Sequence, residues 1–139
     1  MTSAAVLRWE DIAEGMQTAL PICVGGQDMR DFARLSGDLN PLHTDPAFAR
    51  SKGHDGSVVY GALLVAYVSR LVGMHVPGRD CVLAGLEVKF NNPLLVDEPA
   101  TLSATVKRKH ESVRLLEIAF RIATPAKTVA AGVARVLVR

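Results

Sequence analysis

Apolar and polar positions along the chain change rhythm about half-way. Met16 to Val24 reads as a strand that ends at the turn-forming pair Gly25-Gly26. Asp28 to Leu35 follows as a short helix with a rough stripe of Met29, Phe32, Ala33 and Leu35; Gln27 or Asp28 caps it. Gly37 stands where a helix end favours the left-handed conformation. Asp38-Leu39-Asn40-Pro41-Leu42-His43 is expected to be a structured loop, because Pro41 keeps Asn40 out of the helical region. Pro46 to Ala49 starts a further helical turn, and the polar, glycine-bearing stretch Ser51 to Ser57 reads as a mobile loop. Val58 to Met74 is the longest helix expected. It is apolar nearly all round, so burial is expected on every side, and Pro77-Gly78 closes it.

Beyond Pro77-Gly78 the period shifts to two. Cys81 to Phe90 alternates, with Leu86, Val88 and Phe90 on one face, and Ala100 to Val106, Val113 to Ile122 and Val129 to Val138 follow as strands. Few helical patterns separate these strands, so the sheet should be largely antiparallel and the class α+β, with one buried helix wrapped by a curved sheet. A chain of 139 residues implies one domain, spanning 1–139, large enough to bury a core without staples.

Composition narrows the function classes. Apolar residues at 49% and charged residues at 22% describe a globular chain. A net charge of +2 without long basic runs argues against nucleic acid as a partner. The densest basic cluster, Lys107-Arg108-Lys109, reads as a solvated strand end, with a phosphate contact the minor alternative. No apolar run is long enough for a membrane span, the longest being Val58 to Val68. The N-terminus lacks the apolar core of a signal peptide. Cys23 and Cys81 are expected to be reduced core residues, which suits the cytoplasm.

The candidate chemistry centres on Asp38 and His43. A carboxylate and an imidazole on one stiffened loop can hold a water molecule between them and exchange protons near neutral pH. Asn40 can tie the loop through its side chain. Turn chemistry with a surface histidine explains the same spacing equally well. Gly61 opens the long helix, where backbone N–H groups are unpaired and the dipole is positive; a glycine there admits a ligand carbonyl. Close packing of the helix start is the alternative. Ser69 shares a helix face with Gly61 and Val65, and either reaches the site or bonds back to the Val65 carbonyl. His54-Asp55 is a competing acid–base pair in a flexible loop; His75 suits a helix C-terminus and His110 a turn. No spacing suggests a metal site.

The stretch Phe32-Ala33-Arg34-Leu35-Ser36-Gly37-Asp38-Leu39-Asn40-Pro41-Leu42-His43-Thr44-Asp45-Pro46-Ala47-Phe48-Ala49 closely resembles the hydratase motif of MaoC-like dehydratases, the (R)-specific enoyl-CoA hydratases. Tyr60-Gly61-Ala62-Leu63-Leu64 with Gly73 and Pro77-Gly78 is similar to the family's central helix, and Phe90-Asn91-Asn92-Pro93 to the strand that follows. The resemblance implies a hot-dog fold, a homodimer, and no cofactor. It implies a 2-enoyl or 3-hydroxyacyl thioester of coenzyme A or an acyl-carrier protein as substrate. It places the catalytic pair on Asp38 and His43, the carbonyl-binding N–H on Gly61 and a supporting serine on Ser69. Tyr60 departs from the pattern, which usually has histidine there; it would line the same wall of the pocket. Asp97-Glu98 replaces the usual Gly-Asp turn. A hot-dog thioesterase and a non-catalytic acyl-thioester binding subunit are the rival readings.

Overall fold

A computed structural model describes residues 2–139. After a 3₁₀ turn at Trp9–Asp11 the elements are β1 (Gln17–Ile22), α1 (Gly26–Ser36), α2 (Pro41–Thr44), α3 (Pro46–Ser51), α4 (Gly61–Met74), β2 (Cys81–Phe90), β3 (Ala100–His110), β4 (Leu115–Ala123) and β5 (Thr128–Val138). The strands form one sheet in the order β1-β3-β4-β5-β2, and every neighbouring pair is antiparallel. The α+β class and the hot-dog architecture are both present.

Alternation decides which face of the sheet meets the helix. Along β4, Leu116, Ile118, Phe120 and Ile122 are buried, and β3 contributes Leu102, Ala104 and Val106 to the same layer. They join Leu64, Val68, Leu71 and Val72 of α4 in one hydrophobic cluster. Each fully buried Leu or Ile of this kind contributes about 1.5–3 kcal/mol, so this layer fixes α4 against the sheet.

Several expectations are corrected. The long helix begins at Gly61 rather than Val58: Val58 forms an isolated bridge with Leu95, so Val58, Val59 and Tyr60 run extended into the helix. Nor is α4 buried all round, since Ala62, Ala66, Ser69 and Arg70 are exposed in the single chain. Helix α1 starts two residues before Asp28, with Gly25 as its cap, and the Asp28 carboxylate accepts the Gly25 N–H at 2.9 Å. Cys23 is exposed and Cys81 only partly buried, so neither is a core residue.

The basic cluster is also used internally. Lys109 Nζ donates to the carbonyls of Trp9 at 2.6 Å and Ile12 at 2.8 Å, and sits 4.6 Å from the Trp9 ring centroid. Trp9 Nε1 donates to Glu111 at 2.6 Å. The N-terminal arm is thereby pinned to the β3–β4 hairpin. His110 closes β3 rather than lying in the turn, 3.3 Å from Glu117.

Candidate active site

The site grows from the end of α1. Gly37 takes the left-handed conformation, φ 75°, and its N–H bonds to the Ala33 carbonyl at 2.9 Å. The chain therefore leaves the helix in a fixed direction. Three local bonds then shape the loop. The Asp38 N–H donates to Ser36 Oγ at 3.1 Å, the Asn40 N–H to Asp38 Oδ1 at 3.0 Å, and the Leu42 N–H to Asn40 Oδ1 at 2.9 Å. Asn40 ties the loop as expected, by capping a helix: Pro41–Thr44 is a single helical turn with Pro41 at its start. The expected loop is thus part helix, and His43 is carried on it. Asp45 caps the next helix by accepting from Ala47 and Phe48. Asp38 and Asn40 are exposed and His43 is partly buried.

His43 is oriented by a group far away in sequence. Its Nδ1 lies 2.7 Å from the Val58 carbonyl. A carbonyl only accepts, so Nδ1 carries the proton and Nε2 is left with a lone pair when the ring is neutral. The Val58 N–H in turn donates to the Leu42 carbonyl at 3.1 Å. These two bonds hold the α2 turn against the segment that leads into α4.

Tyr60 completes the junction. Its ring centroid is 4.1 Å from that of His43 and 4.7 Å from that of Phe32, and its hydroxyl donates to the Asp38 carbonyl at 2.6 Å. Burial, and after it the Asp38 charge, raises its phenol above the ordinary range. Gly61 is the first residue of α4, where an N–H has no partner within the helix. A Cβ on Gly61 would lie 3.1 Å from Cζ of Phe90, whose ring covers the helix start.

Two cavities meet at His43. One, of about 340 Å³, is bordered by His43, Val59, Gly61, Phe90, Asn91 and Asn92 among others. The other, of about 550 Å³, lies beside α1, with Met29, Ala33, Leu39 and Val96 as apolar walls and Arg30 and Arg34 beside them. The structure therefore brings His43 and Gly61 to one opening; Asp38 and Asn40 border neither cavity, and the Asp38 backbone is joined to the junction through the Tyr60 hydroxyl. Tyr60 borders neither cavity, and Ser69 lies on the exposed side of α4 rather than in a buried stretch. His54 and Asp55 border neither cavity. The Val58 carbonyl and Phe90 were not foreseen as parts of the site. A backbone acceptor leaves no mark in a sequence, whereas the Phe90-Asn91-Asn92-Pro93 block was visible without its position over Gly61. Among the described residues no group of three or more His, Cys, Asp or Glu is placed to hold a metal ion.

The family model for the MaoC like domain matches residues 9–128. The chain belongs to the MaoC-like domain family. It is 31% identical over 115 residues to the (R)-specific enoyl-CoA hydratase of Aeromonas caviae, covering 83% of this chain and 86% of that one. It is 29% identical over 98 residues to an (R)-specific enoyl-CoA hydratase of Rhodospirillum rubrum, covering 70% and 68%. The solved (R)-hydratase from A. caviae superposes with a TM-score of 0.89 at 30% identity, over 94% of this chain and 99% of that one.

Proposed function

We propose that this MaoC-like chain is a hydratase/dehydratase that interconverts 2-enoyl and (R)-3-hydroxyacyl thioesters, carried on coenzyme A or an acyl-carrier protein, with Asp38 and His43 as its acid–base pair. The observation that carries the reading is the shared opening. His43, its tautomer set by the Val58 carbonyl, borders the same cavity as the start of α4, where the Gly61 N–H is unspent. Its relatives named as hydratases support the same chemistry.

In this mechanism the thioester carbonyl accepts a hydrogen bond from the Gly61 N–H, at the positive end of the helix dipole. A water molecule lies between the Asp38 carboxylate and His43 Nε2. Oδ1 of Asp38 is engaged by the Asn40 N–H, so Oδ2 is the oxygen free to take a proton. As the water oxygen bonds to the β-carbon, the pair removes its proton. The electrons of the double bond move toward the carbonyl oxygen, where the Gly61 N–H stabilises the growing charge. The pair then returns a proton to the α-carbon. Dehydration runs through the same groups in reverse. Asn40 holds the loop in shape, whereas Ser69 lies on the exposed side of α4 and borders neither cavity, so it takes no part in this mechanism.

The reading includes a homodimer. Strand β2 is an edge of the sheet, and Val82, Leu83 and Phe90 are exposed along it. An exposed apolar edge is a template for pairing with another strand, and a second copy supplies one by symmetry. A single domain working in the cytoplasm belongs to the same reading; no helix among the described residues is long and apolar enough to cross a membrane.

The test is one cuvette holding a 2-enoyl-CoA, the protein and a thiol reagent. Loss of the conjugated enoyl absorbance without thiol release is expected. Thiol release while the enoyl signal persists would identify a thioesterase instead. Silence in both channels, over graded chain lengths and both carriers, would identify a binding subunit.

A further inference from the structure

The two catalytic candidates are not held in place in the same way. His43 is tied to the α4 side of the molecule by two bonds that involve the backbone of Val58. Asp38 has no such backbone tie. The side-chain bonds that shape its loop link Ser36, Asp38, Asn40 and Leu42, each to a residue two positions away, and the Thr44 hydroxyl to the Leu39 and Asn40 carbonyls. They fix the form of the turn and join its Asn40 end to α2, but none of them runs from Asp38 itself to the α4 side of the molecule. Asp38 and its neighbours Gly37, Leu39 and Asn40 are also exposed, so burial does not anchor them.

One side chain spans that gap. Tyr60, only 2% exposed, donates its hydroxyl to the Asp38 carbonyl across 22 positions of sequence. Its ring packs between His43 and Phe32, and its own backbone caps α4 immediately before Gly61. Tyr60 is thus bonded covalently to the carbonyl-binding residue, stacked on the imidazole and hydrogen-bonded to the carboxylate-bearing residue. We propose that Tyr60 is the positioning residue that sets Asp38 at its distance from the Gly61 N–H, and not a substrate-binding residue; this rests on the hydratase reading of the site.

The physical requirement is strict. A water held by Asp38 must reach the β-carbon of a substrate whose carbonyl is fixed at Gly61, and a displacement of about 1 Å at a reacting group can cost about a hundredfold in rate. The hydroxyl can serve because it stays protonated: burial holds the phenol above its ordinary range, so it remains a donor throughout the range in which carboxylates and imidazoles titrate. Only 2% of the residue is exposed, and its ring and hydroxyl are engaged by Phe32, His43 and Asp38, which leaves almost no surface for a substrate to touch.

Tyr60→Phe in the full chain deletes the hydroxyl and keeps the ring. Two readouts are paired. For hydration of a 2-enoyl-CoA, kcat should fall by about tenfold or more while KM stays within about threefold, the signature of lost orientation rather than lost binding. Amide hydrogen exchange should quicken at Asp38 and Asn40 and stay as it was at Val58, whose N–H keeps its bond to the Leu42 carbonyl. Ile118→Val, a core change in β4 far from the loop, controls for stability: it should lower the melting temperature without lowering kcat. Unchanged exchange at Asp38 and Asn40 would overturn the proposal whatever kcat does, and so would quickened exchange with an unchanged kcat. If the wild-type chain hydrates no enoyl thioester, the hydratase reading fails, while the exchange arm still decides whether the tether exists. Should Tyr60→Phe not fold, Phe32→Leu loosens the same ring and is judged by the same pair of amides.

Discussion

Gly61→Ala is the smallest change that separates binding of the thioester carbonyl from the stability of the fold. The added methyl would lie 3.1 and 3.2 Å from Cζ and Cε1 of Phe90. That is tighter than ordinary contact, and the ring must yield by a few tenths of an ångström. It can, because Phe90 is 53% exposed and the contact is with the far end of its ring. Against that strain, alanine is a better helix residue than glycine by up to about 1 kcal/mol in a helix interior, and by less at the first position. The two effects oppose one another, so net stability should change by no more than about 1 kcal/mol. Activity should respond differently. The methyl and the displaced ring occupy the approach to the Gly61 N–H, and removing one donor of this kind costs about 10²–10³ in kcat. Thermal melts followed by circular dichroism give the first quantity, and the initial rate of enoyl-CoA hydration gives the second. A variant that melts like the wild type and hydrates at the wild-type rate would refute the assignment of the helix start as the carbonyl site.

Asp38→Asn and His43→Ala should each lower the hydration rate by at least about a hundredfold, as expected for a lost acid or base; steady-state rates at wild-type levels in both would transfer suspicion to His54 and Asp55. Val82→Lys places a charge on the exposed β2 edge and should shift a dimer toward monomer in sedimentation analysis; a wild-type chain that is monomeric and active at micromolar concentration would refute the dimer. Burial raises the Tyr60 phenol, so its contribution to stability is complete below the ordinary phenol range and is lost as pH rises through the folded value. Alkaline denaturation should therefore cost the wild type more stability than Tyr60→Phe, with Tyr67, also raised by burial, common to both.

What could be read before the structure was the information that is local. The left-handed Gly37, the Asn40 tie and the stiffening by Pro41 act within a few residues, so the loop that carries Asp38 and His43 was legible. Strand β2 was placed with its observed ends because alternation and turn residues mark them, whereas β3 runs on to His110, past the point where its alternation weakens at Lys107. The groups that orient the loop were not legible. The Val58 carbonyl and the Tyr60 hydroxyl act across 15 and 22 positions of sequence, and no local pattern marks a partner at that distance.

Burial departs from the sequence pattern for a different physical reason. A helix apolar nearly all round implied burial on every side, yet Ala62, Ala66 and Ser69 face outward. Alternation in β2 set Leu86, Val88 and Phe90 on one face, yet Phe90 is half open where Leu86 and Val88 are partly covered. The mismatches fall on the open face of α4 and on the strand whose end walls the Gly61 cavity. A hydrophobic pattern records what the working assembly buries, and a single protomer need not satisfy it. A second copy paired along β2 would cover Val82 and Leu83 and bring new surface to the end of the strand where Phe90, Asn91 and Asn92 border the cavity. On that account the dimer and the site are one construction. Loss of pairing should then weaken hydration in Val82→Lys even though Val82 touches neither Asp38, His43 nor Gly61.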